Sequence, residues 1–344
     1  MSIVVAIILF SLIILFHELG HFLLAKKNDV QVNEFCLGLG PTIIGKKFGE
    51  TKYSLKLLPF GGACMMEGED EESNSDRAFN KKSVWQRFAI VFAGPFFNFI
   101  LAWILAVIII LFVGVDKPIV YHVIDNSPAQ QAGLQAGDTI VKLNHKHIHF
   151  YREISVYTFF HGGETTEVTY ERDGERYTAT VQPVKDEESG RYYFGFQGIA
   201  QRQKVNVLRA MQYGCFEVYY WISTTLQSLG KLVTGQLSMN DLSGPVGIVK
   251  SIGETYTQSK PAGFLAVLLN LLNMAVLLSS NLGVMNLLPI PALDGGRLVF
   301  FIVEAIRGKK IDPNKEGMVH FVGLVILLAF MCLIMANDIR RLFI

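Results

Sequence analysis

At 344 residues, with 51% of them apolar and only 18% charged, the chain has the composition of a protein that crosses a membrane several times. A net charge of +1 gives no electrostatic basis for binding nucleic acid. The four cysteines, Cys36, Cys64, Cys215 and Cys332, follow neither metal-site nor disulfide spacing and are expected as free thiols.

Four segments are long and apolar enough to span a bilayer: about residues 3–24, 88–113, 262–288 and 318–335. No basic residue precedes the first, so it is expected as a retained span and not as a cleaved leader. Inside it lies His17-Glu18-Leu19-Gly20-His21. Two histidines four apart share one helix face and can reach a single tetrahedral Zn²⁺. The carboxylate between them is placed to take a proton from metal-activated water, the chemistry of zinc hydrolases. A charge at mid-membrane costs roughly 2.5 kcal/mol or more, so three ionisable groups in one turn call for a compensating partner, and a metal ion is the natural one.

Between the first two spans, the alternating stretch 53–62 stops at Pro59 and Gly61-Gly62 and reads as short strands of a hairpin. The acidic run 67–72 reads as a solvated loop. Residues from about 115 to 200 form a mainly-β insert with turns such as Arg172-Asp173-Gly174, and residues 126–140 resemble the short helix and following strand of bacterial PDZ domains. His145, His147 and His149 alternate along a strand, a weak candidate for a second metal site because no carboxylate is evident nearby. Residues 210–230 carry Glu217 as their single charge and could be mistaken for a fifth span. Their clustered aromatics suit a helix lying in the membrane interface, and a span there would invert everything after it.

Two histidines are an incomplete ligand set, since a catalytic zinc has three protein ligands. The third span ends at Pro289 and Pro291, and Asp294-Gly295-Gly296 follows before a new apolar helix. Broken backbone at membrane depth is tolerated where protein or a water-filled cavity receives it. A carboxylate capping the next helix is the alternative for Asp294; its coexistence with the first motif favours the metal. Basic residues fix the expected orientation: Lys26, Lys27, Lys46, Lys47, Lys52, Lys56, Lys81, Lys82 and Arg87 follow span one, and Arg307, Lys309, Lys310 and Lys315 follow span three. Both connections are then cytosolic and both termini outside.

These motifs, in this order, resemble those of the site-2 proteases, intramembrane zinc metalloproteases, in the bacterial branch with one extracytoplasmic PDZ domain. The resemblance rests on residues 17–21, on Asn286 through Asp294-Gly295, on Gly94-Pro95-Phe96-Phe97-Asn98 and on Ser243-Gly244-Pro245-Val246-Gly247-Ile248. It implies one catalytic Zn²⁺ held by His17, His21 and Asp294, with Glu18 as general base, and substrate engagement by Asn281 and Asn286. Amides at membrane depth can replace the hydrogen bonds a spanning helix loses when it is opened; for Asn270 and Asn273 ordinary interhelical bonding is the simpler reading.

The fold so implied is a polytopic α-helical membrane protein of four spans, with a membrane-associated β-hairpin and an inserted PDZ domain. Its parts are an N-terminal membrane half (1–114), the PDZ domain (115–200), an interfacial helix and linker (201–260) and a C-terminal membrane half (261–344). Expected partners are the lipid bilayer and pre-trimmed single-span or signal-peptide substrates, with anti-sigma factors and remnant signal peptides both open. The expected location is the bacterial inner membrane, with the PDZ domain outside and the active site near the cytosolic face. The PDZ domain could bind peptide by strand addition or act as a size filter. Rival classes are a silent scaffold, which loss of Glu18 or a ligand would favour, and a zinc transporter, which would need polar residues continuing across the membrane.

Overall fold

A computed structural model describes residues 2–69, 73–198, 202–238 and 243–341. The end of the acidic run, residues 70–72, lies outside the described residues. The chain divides into two compact units, Met1–Leu105 with Ser228–Ile344, and Ala106–Gln227.

Four helices are long and apolar enough to cross a membrane: α1 (Ser2–Lys27), α2 (Val84–Val113), α7 (Phe264–Leu287) and α9 (Pro313–Arg340). Each exceeds the roughly 20 residues needed to span the hydrocarbon core. Lys26 and Lys27 close α1, where cations complement the partial negative charge of a helix C-terminus. Two further helices in this unit are α6 (Pro245–Ser259) and α8 (Asp294–Arg307). The first turn of α6 has no side-chain cap of its own. Asp338 of α9 supplies one, accepting from Gly247 N–H at 2.8 Å and Gly244 N–H at 3.2 Å. Asn270 of α7 donates to Ser259 Oγ at the end of α6 (2.8 Å), the interhelical bond expected of it.

Strands β1 (Val32–Phe48) and β2 (Thr51–Met66) are far longer than the hairpin read from residues 53–62. The tight turn is at Gly49-Glu50, not at Pro59, and β2 runs through Pro59 and Gly61 by bending. Residues 34–37 are matched on one side with 65–62 and on the other with 52–55, while 44–48 pair with 55–51. Pro59 and the left-handed Gly61 (φ +83°) therefore mark a crossing from one flank of β1 to the other, which local alternation cannot show. Among the described pairings, residues 62–66 bond to β1 on one side only.

The Gly49-Glu50 turn is anchored to the end of α1. Arg77 donates to Glu50 at 2.5 and 3.0 Å, and Lys26 forms a further ion pair with the same carboxylate. The base of the hairpin packs with α1, α2 and α8 in a core containing Ala25, Val32, Cys64, Ile90, Val91 and Phe301. Two ion pairs bind α8 to its surroundings, Arg87 to Glu304 at 2.5 Å and Arg297 to Glu69.

The second unit contains β3 (Val120–Val123), α3 (Pro128–Gln131), β4 (Thr139–Leu143), β5 (Lys146–His147), α4 (Arg152–Phe160), β6 (Thr166–Arg172) and β7 (Glu175–Val181). The short β8 (Val184–Lys185), β9 (Tyr192–Tyr193) and β10 (Phe196–Gly198) follow, then α5 (Val207–Val233), of which the second unit includes the part up to Gln227. The sheet order is β5-β4-β6-β7, with β10 on β3 and β8 on β9 as separate pairs. Its core holds Val120, Ile140, Leu143, Ile154, Tyr157 and Val168. A second cluster joins Ile110, Val115, Phe150 and Ala210.

The lone charge that made residues 210–230 ambiguous is satisfied here. Glu217 on α5 is buried against Arg152 of α4 and accepts from Trp221 Nε1 at 3.0 Å. Burial raises the Glu217 carboxyl above its ordinary range, and the guanidinium opposes that rise.

Hydrogen bonds from Arg77 and Lys26 hold the Glu50 carboxyl down from 4.5 to about 2. A carboxyl depressed on folding stabilises the protein above its unfolded value and loses that contribution as pH falls through the folded one. The difference in thermal unfolding midpoint between wild type and Glu50→Gln is therefore expected to be greatest above pH 4.5 and to shrink towards pH 2. A difference that stays constant over that range in a detergent-solubilised pH series would refute the anchoring role of this carboxylate.

Candidate active site

The sequence places His17, Glu18 and His21 within 1.5 turns of α1, and the fold brings α2, the hairpin and the start of α8 against that turn. Both histidines are buried, each 8% exposed. Their seclusion follows from how closely α1 meets α2. A Cβ on Gly20 would lie 2.3 Å from the Ala93 carbonyl oxygen, so the two backbones touch there. One residue on, a Cβ on Gly94 would lie 2.2 Å from His21 Nε2 and 2.9 Å from His17 Cε1. The imidazoles occupy the space that any other residue at 94 would fill.

Asp294 arrives from the opposite end of the sequence. After Leu287 the chain leaves α7, passes Pro289 and Pro291, and restarts as α8 with Asp294 as its first residue. Gly295 and Gly296 allow that restart, since a Cβ at 295 would sit 2.1 Å from Leu288 O and one at 296 would sit 2.6 Å from Ile290 O. Ala292 is held at φ +78°, a strained value for a residue with a side chain. Its N–H donates to His320 Nδ1 of α9 at 2.9 Å. Gly323, one turn along α9, lets Pro291 pack against the helix backbone, where a Cβ would meet Pro291 Cβ at 2.3 Å. Thus α9 braces the loop that delivers the carboxylate.

The three groups converge. Asp294 Oδ2 lies 3.1 Å from His17 Nε2 and 3.6 Å from His21 Nε2, and the two Nε2 atoms are 3.2 Å apart. Leu293 precedes α8 with no side-chain cap, and Asp294 Oδ2 is buried without a hydrogen-bond partner. Zinc bonds of about 2.0–2.1 Å to nitrogen and oxygen in a tetrahedron set ligand atoms about 3.3 Å apart, which the observed separations bracket. These side chains fit a zinc ion, and among the described residues they are the one such group of three or more histidine, cysteine or carboxylate side chains. His145, His147 and His149 are not brought together as a second site. His147 and His149 rings stack 6.5 Å apart, and His149 stacks on Phe216 at 3.7 Å.

Outer contacts orient the rings. His21 Nδ1 donates to the Ile90 carbonyl at 2.9 Å, leaving the Nε2 lone pair free to ligate. Glu18, half-buried, faces the hairpin: a Cβ on Gly62 would come within 3.0 Å of Glu18 Cγ and of Ile14 Cγ2. Gly62 belongs to the flank of the sheet that pairs on one side only. Asn281 and Asn286 lie half-buried on α7, the helix that leads into the Asp294 loop.

Sequence reasoning did not assign roles to Gly94, Asn98 or His320. Gly94 and Asn98 are four apart, so a small residue and an amide share one face of the second span, a signal that was available. His320 carries none, because its partner is a backbone N–H 28 residues away.

A helix-borne histidine pair completed by a distant carboxylate, with a glutamate alongside and long apolar helices around it, defines a metal-dependent membrane hydrolase. The profile of peptidase family M50 matches residues 5–330, and the chain belongs to that family, the site-2 proteases. A Clostridium acetobutylicum protein bearing a zinc metalloprotease name is 41% identical over 340 residues, covering 98% of this chain and 97% of its own. Zinc metalloprotease RasP of Geobacillus kaustophilus is 32% identical, covering 99% of this chain and 98% of its own. The regulator of sigma-W protease RasP of Bacillus subtilis is 32% identical, with 99% of each chain covered. The crystal structure of the PDZ domain of an SdrC-like protein from Listeria monocytogenes aligns with 25% of this chain and 92% of its own at 21% identity and a TM-score of 0.23, too low to bear on the fold. The protein is an intramembrane zinc metalloprotease.

Substituting Gly94→Ala places a methyl group inside the histidine pair and is expected to lower bound zinc by about tenfold or more. Gly230→Ala, which meets nothing within 4 Å, should leave it unchanged. Zinc per purified protein, measured by elemental analysis, distinguishes the two; equal zinc in both variants would refute the packing argument.

Proposed function

We propose that His17, His21 and Asp294 hold the catalytic zinc, that Glu18 is the general base, and that the enzyme cuts the transmembrane segments of membrane proteins whose outer portions have already been trimmed. The convergence of His17 Nε2, His21 Nε2 and Asp294 Oδ2 within 3.6 Å of one another carries this reading.

Zinc bound there supplies Lewis acidity, which acidifies water and polarises a carbonyl oxygen. The rest is the work of side chains. Glu18 takes a proton from the attacking water and returns it to the leaving amine as the peptide bond breaks. Asp294 and the two imidazoles fix the donor set, and the outer contact to Ile90 keeps His21 in the ligating tautomer.

A spanning helix hides its peptide bonds, so the substrate must be unwound before attack. Residues 62–66 offer a strand edge beside Glu18, suited to receive an extended peptide by strand addition, which is tolerant of sequence. Asn281 and Asn286, on the helix entering the ligand loop, are assigned to the amide partners of the opened segment.

The basic residues flanking α1 and α8 favour cytosolic connections, with both termini and the mainly-β unit outside. That unit, over residues 115–200, is assigned as a PDZ domain on its 126–140 motif. The family and the names of the RasP relatives support regulated proteolysis of an anti-sigma factor as the leading substrate class, with remnant signal peptides second.

Glu18→Gln is expected to reduce cleavage of a model transmembrane substrate by about 10²- to 10⁴-fold while zinc content is retained. Undiminished cleavage by a zinc-loaded Glu18→Gln protein would end the assignment of the base.

A further inference from the structure

We propose that Asn98 is a positioning residue that sets the tautomer of His17, and so decides whether that imidazole can ligate. This rests on the reading of His17 as a zinc ligand.

Asn98 is completely buried, at 0% exposure, one turn beyond Gly94 on the same face of α2. Its side-chain amide nitrogen lies 3.1 Å from His17 Nδ1. In that orientation the amide N–H donates to Nδ1, which obliges His17 to carry its proton on Nε2, 3.1 Å from Asp294 Oδ2. In that tautomer Nε2 carries the proton and has no lone pair to give a metal. Meanwhile Asn98 Oδ1 is buried and without a partner.

Rotating the terminal amide by a half-turn exchanges the two atoms at no steric cost. Oδ1 then faces Nδ1, accepts the proton now carried there, and leaves the Nε2 lone pair free. The change moves one proton within His17 from Nε2 to Nδ1 and reverses one hydrogen bond. Asn98 can serve both tautomers because an amide is donor at one end and acceptor at the other. His21 has no such freedom: its Nδ1 faces the Ile90 carbonyl, which only accepts, so His21 is fixed as a ligand.

The backbone that carries the amide is held in place. The Asn98 carbonyl accepts from Ser279 Oγ at 2.8 Å, and Ser279 is completely buried on α7, the helix that runs into the Asp294 loop. One line of hydrogen bonds therefore joins α1, α2 and α7 through this residue, and the amide turns about a fixed backbone.

The test is zinc affinity of the full-length protein in detergent, by competition with a chromophoric chelator, with the unfolding midpoint of each metal-free form. Asn98→Leu, close in shape but without polar atoms, is expected to weaken zinc binding by about 10- to 100-fold with a metal-free midpoint near that of wild type. Asn98→Asp can only accept from Nδ1–H and is expected to bind zinc at least as tightly as wild type, a rescue that packing alone would not produce. Unchanged affinity in Asn98→Leu, or tenfold or greater weakening in Asn98→Asp, would overturn the proposal; the second arm decides even if Asn98→Leu does not fold. His17→Ala separates the two levels of inference. Loss of zinc there with full affinity in Asn98→Leu defeats the positioning role alone, whereas full affinity in His17→Ala defeats the metal-site reading beneath it.

Discussion

The close approach of α1 to α2 is the constraint on which the rest of the site depends. Polar side chains at membrane depth must be shut off from lipid and supplied with partners, and both needs are met by bringing two helix backbones into contact at Gly20 and Ala93. With the backbones that close, Gly94 yields the volume for both imidazoles, and the carbonyl of Ile90 and the amide of Asn98 fall at the two Nδ1 atoms. A wider separation would require longer residues between the helices, and those residues would occupy the space of the rings. The absence of a side chain at one position thus sets the geometry of two imidazoles and their outer contacts.

Asp294 poses a different problem, because the backbone that leads to it, between α7 and α8, has left helical structure. Every N–H and C=O released by the break needs a partner, or the loop would be costly at that depth. The solution is distributed over three helices. His320 and Gly323 of α9 receive Ala292 and Pro291, and Gly295 and Gly296 let α8 begin directly on the carbonyls at the end of α7. Asp338, further along α9, caps α6 in the same manner, through a carboxylate lent by another helix. His320 and Asp338 of this span both reach other elements, and such contacts fix the relative positions of helices that apolar packing alone would leave free to slide.

What could be read from the sequence was whatever had a local period or a local break. The histidine pair declares itself through its four-residue spacing, and Asp294 through the prolines that end the third span and the glycines that follow. The four spans follow from length and hydropathy. The hairpin was legible in existence but not in extent, because β1 is flanked on both sides by different parts of β2 and that pairing has no local signature. Glu217 could be noticed as the one charge in an aromatic stretch, but its partner Arg152 is 65 residues away. His320 contacts its partner across 28 residues with nothing near it in sequence to announce a role, and Asn98, whose partner lies 81 residues away, is marked only by its spacing from Gly94. Spacing reveals side chains that share a helix; the groups that hold those side chains come from other helices and require the fold.

One face of α1 shows how a single helix can serve both lipid and chemistry. Ile3, Ile7, Phe10 and Ile14 recur at intervals of three and four and line a cavity of about 400 Å³ together with residues of α6 and α9, among them Pro245, Ile248 and Ile334. The next residue in that series is Glu18, and Ile14 and Glu18 both lie against Gly62 of the hairpin. The apolar stripe therefore runs without interruption into the glutamate, while His17 and His21 face α2. Successive residues of a helix point about 100° apart, so adjacent residues 17 and 18 can belong to different surfaces. Placing Glu18 between the two histidines in sequence is what puts it at the rim of the His17–His21–Asp294 cluster and in line with the apolar face at once. Glu18 is thereby directed to the one side of the site where a strand edge waits, and the histidines to the side where the protein closes around them.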